Sequence, residues 1–404
     1  MTRLDPQPWM TAPETVRLMQ ALGEGRFVGG AVRNALLHRD VADIDVATPL
    51  VPAEVVKRLE AARIKSVPTG IEHGTITAVV DGRPYEVTTL RRDVVTDGRR
   101  AIVAFTTDWA EDARRRDFTM NALYAAADGE VFDHVGGVAD LQAGRVRFVG
   151  DPVQRIREDY LRILRLFRFH AWYGRGALDA EALRAGATER TGLARLSGER
   201  IQSEMLRLLA APDPGAVLNA MAREAILGEV LPGEVSIGRV ERLAAIDRDA
   251  FFTPDAVLRL AALVPPLAAA PVAERWKLSN ADRDRLLDLT SAGEALAPHL
   301  SAREVRRLLY RLGKQRFRDR LFLAWADDPR AAIQWRALLA MADAWQRPQF
   351  PLSGREVMKA GVPEGPLVGK VIAEVESWWI DSDFTEDRFS LAERLKAVVQ
   401  AVAR

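Results

Sequence analysis

Two carboxylates stand two positions apart in Asp43-Ile44-Asp45, inside a stretch, Ala42–Ala47, whose alternation reads as a strand. On a strand, residues i and i+2 share a face, so Asp43 and Asp45 lie side by side and Ile44 turns into the core. Adjacent carboxylates repel one another and a cation relieves the repulsion. Hard oxygen donors of this kind suit Mg²⁺. Upstream, Gly29-Gly30 separates the short apolar run Phe27-Val28 from a helix expected over Ala31–His38. Glycines let a phosphate approach the backbone, and a helix N-terminus offers free N–H groups to it. Arg33, one turn into that helix, adds a fixed positive charge. Alone, an Asp-x-Asp is an ordinary solvated turn and a Gly-Gly pair an ordinary loop. In this order, with a helix between them, they point to phosphate chemistry at a metal.

Two further segments carry chemistry. Arg114–Leu123, RRRDFTMNAL, joins a basic run to an apolar start; Arg116 can neutralise phosphate, and Asp117 can cap a helix or orient an arginine. Ile156–Tyr173, IREDYLRILRLFRFHAWY, reads as one helix with Leu161, Leu164, Leu166 and Phe169 on a core face. Asp159, Arg162, Arg165 and Arg168 recur every third position and form one spiralling polar stripe. Asp159 and Arg162 are spaced for direct contact on a helix. A carboxylate beside a guanidinium sets an acceptor next to donors and can read the edge of a nucleobase. A solvated charged face is the plainer alternative, although three arginines against one acid is an unusual mixture for it.

The elements around these residues fall into two textures. Helices are expected over 13–24 and 54–62, and strands over Thr75–Val80 and Tyr85–Leu90, joined by an Asp81-Gly82 turn. Arg91–Thr107 is polar and Arg-rich and reads as a mobile loop, and Asp133–Leu141 as a Gly-containing hinge. Phe118–Ala126 and Val131-Phe132 complete an α+β region. After Asp151 alternation nearly disappears, and Leu, Ala and Arg recur at helical spacing. The 404 residues imply two or three domains. With 57 basic and 56 acidic residues the chain is no general polycation, so nucleic acid would need a local patch. Arg303, Arg306, Arg307, Arg311, Lys314, Arg316, Arg318 and Arg320 supply a candidate, against only Glu304 and Asp319 within the segment. The absence of Cys excludes disulfides, thiolate nucleophiles and Cys-based zinc sites. No signal-peptide pattern opens the chain, and the longest apolar stretch, Leu260–Ala273, is short and broken by three prolines. A soluble, cytoplasmic protein is expected.

The motifs GGAVRN with DID, EVTTLRRD, RRDFTMNALY, DHVGGVADL, REDYLRILRLFRF and SGERIQSE (197–204) occur in this order, followed by a weaker LSGREVMKAGVPEGPLVGKVI at 352–372. In these the chain resembles the class II tRNA nucleotidyltransferases, that is, bacterial CCA-adding enzymes and the related bacterial poly(A) polymerases. The resemblance implies an α+β fold: a polymerase-β-like nucleotidyltransferase head, then an all-helical neck, body and tail. It divides the chain into a catalytic head at 1–145, a base-recognising neck at 146–235, and an RNA-binding body and tail at 236–404. It makes Asp43 and Asp45 the catalytic, metal-binding carboxylates of a two-ion Mg²⁺ site. Gly30, Arg33 and Arg116 become triphosphate contacts, and Asp159 and Arg162 the pair that accepts C and A while rejecting G and U. Arg165 and Arg168 become further nucleotide contacts, and Glu199-Arg200 with Glu204 a structural support.

The implied activity is template-independent addition of C, C and A to the tRNA 3′ end from CTP and ATP, with release of pyrophosphate. In such a scheme one ion activates the RNA 3′-hydroxyl and the other clamps the triphosphate. Glu86 is the candidate third carboxylate. Arg91–Thr107 resembles the loop associated with switching from C to A addition, which argues against an enzyme adding only CC. No membrane and no obligate protein partner is implied. Three features depart from the family pattern. Asn34 stands where the family usually has Asp, which puts any helix-orienting role of that Asp in doubt. The loop reads GRRA rather than GRRP. None of the five His precedes an Asp, so an additional His-Asp phosphohydrolase activity is not expected. A poly(A) polymerase, an A-only adding enzyme and a non-catalytic RNA- or nucleotide-binding relic are the competing readings.

Overall fold

The computed structural model describes residues 2–97 and 100–402, with the side chains of 73 and 93–103 outside the described set. Among the described residues nine strands are formed: β1 Arg26–Val28, β2 Asp45–Thr48, β3 Lys65–Gly70, β4 Thr75–Val80, β5 Arg83–Thr89, β6 Arg91–Asp97, β7 Arg100–Phe105, β8 Leu123–Ala125 and β9 Val131–Asp133. Seven of them make one mixed sheet in the order β3-β4-β5-β2-β1-β8-β9, in which only β2 and β5 run parallel. Helices Pro13–Leu22 and Pro52–Ala61 pack on each other and on the β3–β4 side of the sheet. Leu18, Leu22, Val55 and Leu59 close over Val46, Ile76, Ala78 and Val87, all buried. The turn between β4 and β5 has Asp81 and Gly82 at φ 49° and 84°, the double positive φ that makes a tight hairpin follow the strand twist.

The remainder of the described chain, from Pro152 on, is helical. One apolar core runs without interruption from Leu4 in the head to Ala342. A second gathers Val357, Val371, Trp379 and Leu391 of the C-terminal helices around Tyr310. Among the described residues no helix is long and apolar enough to cross a membrane.

The structure departs from the sequence expectations at five places. Arg91–Thr107 is largely a β-hairpin: β6 and β7 pair antiparallel from Arg91↔Phe105 to Asp97↔Arg100, with a one-residue register shift between Asp93 and Val95 and residues 98 and 99 outside the described set. The β-branched pairs Val94-Val95 and Ile102-Val103 flank an Asp97-Gly98 turn signal and outweigh the arginines that suggested a loop. Strand β2 begins at Asp45, so Asp43 precedes it, although burial still alternates: Asp43 exposed, Ile44 buried, Asp45 half-buried, Val46 buried. The expected hinge at Asp133–Leu141 is a capped helix start. The Asp133 carboxylate accepts the backbone N–H groups of Val135, Gly136, Gly137 and Val138 at 2.9–3.1 Å. A Cβ on Gly137 would fall 2.1 Å from the Thr119 carbonyl oxygen, so glycine is required there.

The expected single helix Ile156–Tyr173 is two: Pro152–Glu158 and Leu161–Tyr173. Asp159 between them is extended, at φ −158° and ψ 106°. Its carboxylate accepts the Leu161 N–H at 3.1 Å, a local bond that competes with helix continuation.

Nor is the Arg303–Arg320 segment an open basic patch. Arg306 pairs with Asp383, Arg307 with Asp381, Arg311 with Glu294, and Lys314 and Arg318 with Asp343. Arg316 and Arg320 share Asp288, and Arg303 donates to the Asp381 carbonyl. The acids come from outside the segment, on other helices or just beyond their ends, so the local sequence conceals them.

Candidate active site

The Gly29-Gly30 turn lies between β1 and the Gly30–Leu36 helix. Gly29, not Gly30, holds the left-handed backbone, at φ 67°. Its N–H donates to the Leu123 carbonyl at 3.0 Å, and its own carbonyl accepts the Arg33 N–H at 3.0 Å. A Cβ added at Gly29 would stand 3.8 Å from Arg116 Nη1. The guanidinium of Arg116 therefore faces the turn where a phosphate would approach.

On the neighbouring strand Asp45 is aligned with Glu86 of β5 across the parallel pair, so their side chains share a face. Burial, then the charge of Glu86 and that of Asp43, push the Asp45 carboxyl up to about 6, while Arg116 pulls the other way. Asp43, Asp45, Glu86 and Arg116 thus form one electrostatic neighbourhood. Among the described residues no three or more acidic or imidazole groups are gathered as a complete metal cage. Mg²⁺ seldom needs one, since it is commonly held by one or two carboxylates with substrate phosphates and water. The donor set fits a divalent cation: hard oxygens, crowded negative charge and a carboxyl whose ionised form Arg116 only partly compensates.

Arg33 is 7% exposed and is held by neutral acceptors. Nη1 donates to Asn121 Oδ1 at 2.5 Å, Nε and Nη2 to Asn34 Oδ1 at 3.2 and 3.0 Å, and Nη2 also to Tyr173 Oη at 2.9 Å. Burial lowers its pKa, partly offset by Tyr173 and Asp117. Most of its donors are engaged, so Arg33 contributes its charge and joins the turn to the Leu161–Tyr173 helix more than it presents a free edge. Asn34 Nδ2 donates to the Asp40 carbonyl at 3.0 Å, a bond an Asp at this position could not make.

Asp117 orients an arginine, one of its two expected uses. Its Oδ2 accepts from Arg165 Nε at 2.8 Å and Nη2 at 2.5 Å, while Oδ1 accepts the Phe118 N–H and Asn121 Nδ2 at 2.8 and 3.0 Å. Burial alone would raise the Asp117 pKa, but Arg165 and these donors hold it near about 2. Arg168 and Arg165 both reach the buried Glu204, at 2.5 and 3.6 Å. A continuous polar chain therefore runs from Arg33 through Asn121, Asp117 and Arg165 to Glu204 and Arg168, which joins the Gly30–Leu36 helix to the arginine-bearing helix.

Asp159 and Arg162 do not pair with each other by their side chains. Asp159 accepts from Arg200 Nη2 at 2.7 Å, and Arg162 Nη1 donates to Glu158 at 2.5 Å and to the Arg155 carbonyl at 2.8 Å. The break at Asp159 separates the two groups that helical spacing would have joined. Sequence reasoning also missed Asp112, Asn121, Tyr124 and Tyr173. Asp112 and Arg116 are four apart in Trp109–Arg116, a visible helical spacing; the other three are reached only through the fold.

Residues 25–147 match the family model of the poly A polymerase head domain, and residues 177–234 that of a probable RNA and SrmB-binding site of polymerase A. The chain is 33% identical to the mitochondrial CCA tRNA nucleotidyltransferase 1 of Mus musculus, over 92% of this chain and 86% of that one. It is 31% identical to the CCA-adding enzyme of Lactobacillus gasseri, over 95% of this chain and 96% of that one. The fold is similar to that of the Bacillus stearothermophilus CCA-adding enzyme solved in complex with CTP, with a TM-score of 0.79, 26% identity and 99% of each chain covered.

Proposed function

Because the chain belongs to the class II CCA-adding enzyme and poly(A) polymerase family, we propose that it is a template-independent nucleotidyltransferase that adds C, C and A to tRNA 3′ ends from CTP and ATP. The observation that carries this reading is the Arg165–Asp117 ion pair, 2.5 Å long, which docks the polar face of the Leu161–Tyr173 helix against the turn that faces Gly29. Chemistry and base reading would then be carried by elements this ion pair ties together. The head at 1–145 performs the transfer, 146–235 reads the base, and 236–404 holds the RNA.

Phosphoryl transfer depends on positioning and charge neutralisation more than on covalent chemistry. Asp43 and Asp45 would hold Mg²⁺, which when bound lowers the pKa of the attacking 3′-hydroxyl and balances charge on the departing pyrophosphate. Arg116, fixed on one edge by Asp112, presents its other edge to the triphosphate over Gly29 and Gly30. Arg33 adds positive potential from beneath the turn. Arg165 and Arg168, set by Asp117 and Glu204, line the approach to the base, and Asp159 and Arg162 offer it an acceptor and a donor.

A nucleotide-incorporation assay tests the reading. tRNA ending before CCA, tRNA ending in CC, and an unstructured RNA are each offered CTP and ATP separately and together. Three additions on the first and one A on the second are expected. Long A tracts on the unstructured RNA would instead mark a poly(A) polymerase.

A further inference from the structure

Asp112, only 1% exposed, lies in the Trp109–Arg114 helix. Its Oδ2 accepts from Arg116 Nε and Nη2, both at 3.1 Å, and from Tyr124 Oη at 2.6 Å. Its Oδ1 accepts from Arg115 Nε and Nη2 at 2.9 and 2.6 Å, and from the backbone N–H of Arg91 at 3.1 Å. Arg115 Nε in turn reaches the Arg91 carbonyl at 3.0 Å. Burial opposes the charge on Asp112, but Arg116, Arg115 and Tyr124 bring its pKa down to about 2.

A buried ion pair is weak evidence for stability, because desolvating both partners offsets most of the attraction. What a carboxylate supplies here, and an apolar side chain of equal volume could not, is direction. The forked contact takes up the Nε–Nη2 edge of Arg116 and leaves Nη1 facing Gly29. Arg91 is the first residue of β6, so the carboxylate that aims Arg116 also grips the root of the β6–β7 hairpin.

We infer that Asp112 is a positioning residue for nucleotide binding, which aims Arg116 into the glycine turn and ties that aim to the hairpin root. The inference rests on the reading of Arg116 as a triphosphate contact. Steady-state kinetics with CTP and ATP on D112N, Y124F, R116Q and the two double variants carrying R116Q test it. D112N is expected to raise the nucleotide KM roughly 10- to 100-fold, the worth of a charge-assisted hydrogen bond or two, with a smaller change in kcat. In the R116Q background D112N should add less than about twofold, because it acts through a group already removed. A D112N penalty that persists in full beside R116Q, or an unchanged KM in D112N where R116Q raises it, overturns the inference. If R116Q leaves the nucleotide KM unchanged, the reading of the nucleotide site fails, and this inference with it. Should D112N not fold, Y124F carries the test. A KM increase that vanishes beside R116Q supports the role; one that persists, or no increase, overturns it.

Discussion

At the scale of single residues, charge placement decides what the site can do. Asp45 sits half-buried beside Glu86 and Asp43, and its carboxyl is raised to about 6 from the ordinary 3.8. A carboxyl raised in the folded state favours folding most when protonated. Its contribution is fully present below about pH 4 and is lost as pH rises through about 6. Near pH 8 the ionised group therefore costs the metal-free protein about 1–3 kcal/mol, the upper end being the full shift. Without divalent cation, Asp45→Asn should raise the melting temperature at pH 8 by about 1–4 °C and leave it nearly unchanged at pH 4. Mg²⁺ should raise the melting temperature of the unaltered protein at pH 8 and have little effect on the variant. Equal stabilisation of both by Mg²⁺ would remove Asp45 from the ion's ligands. Asp43, Asp45, Gly29-Gly30 and Arg116 can be singled out in the sequence because each motif is local, and the fold places Asp45 within the fields of Asp43 and Arg116, and Arg116 opposite Gly29. Their partners cannot be. Asn121 and Tyr173 reach Arg33 across separations of 88 and 140 residues, which only the packed sheet and helices create.

At the scale of elements, the strands and helices of the head follow their apolar periodicity closely, and the errors arise where a polar side chain overrides it. The periodic face of Ile156–Tyr173 is continuous, yet the Asp159 carboxylate bonds to the Leu161 N–H and breaks the helix. The hairpin was hidden for the opposite reason, since its arginines masked two β-branched runs about a turn. Arg200 holds Asp159 and Glu158 holds Arg162, so the two groups are fixed from different sides. On the base-reading role proposed for them, they would meet different atoms of one base. Asp159→Ala or Arg162→Ala should relax preference for C and A over G and U by roughly 10- to 100-fold, and slow addition of the correct nucleotide less than that. Competition assays with the four nucleoside triphosphates read this out. Equal loss for all four would leave the pair without a base-reading role.

At the scale of the whole molecule, the head and the helices through Ala342 share one core, and the C-terminal helices form another. The Arg-rich segment is the fastening between them: Arg306 and Arg307 pair with Asp383 and Asp381 at the end of the Pro366–Asp381 helix. A sequence count of local charge could not reveal this, since the neutralising acids lie in a different part of the chain. The sheet and the helices through Ala342 are thus joined by one continuous core, and the use proposed for the helices depends on the chemistry proposed at the sheet. The most direct measurement is the rate at which Asp45→Asn, folded as judged by its melting curve, adds the first C to tRNA lacking CCA at saturating CTP and Mg²⁺. A fall of roughly a thousandfold or more relative to the unaltered protein is expected, in keeping with the several kcal/mol a bound metal contributes to such a transition state. Turnover within about tenfold of the unaltered protein would contradict the assignment of this site.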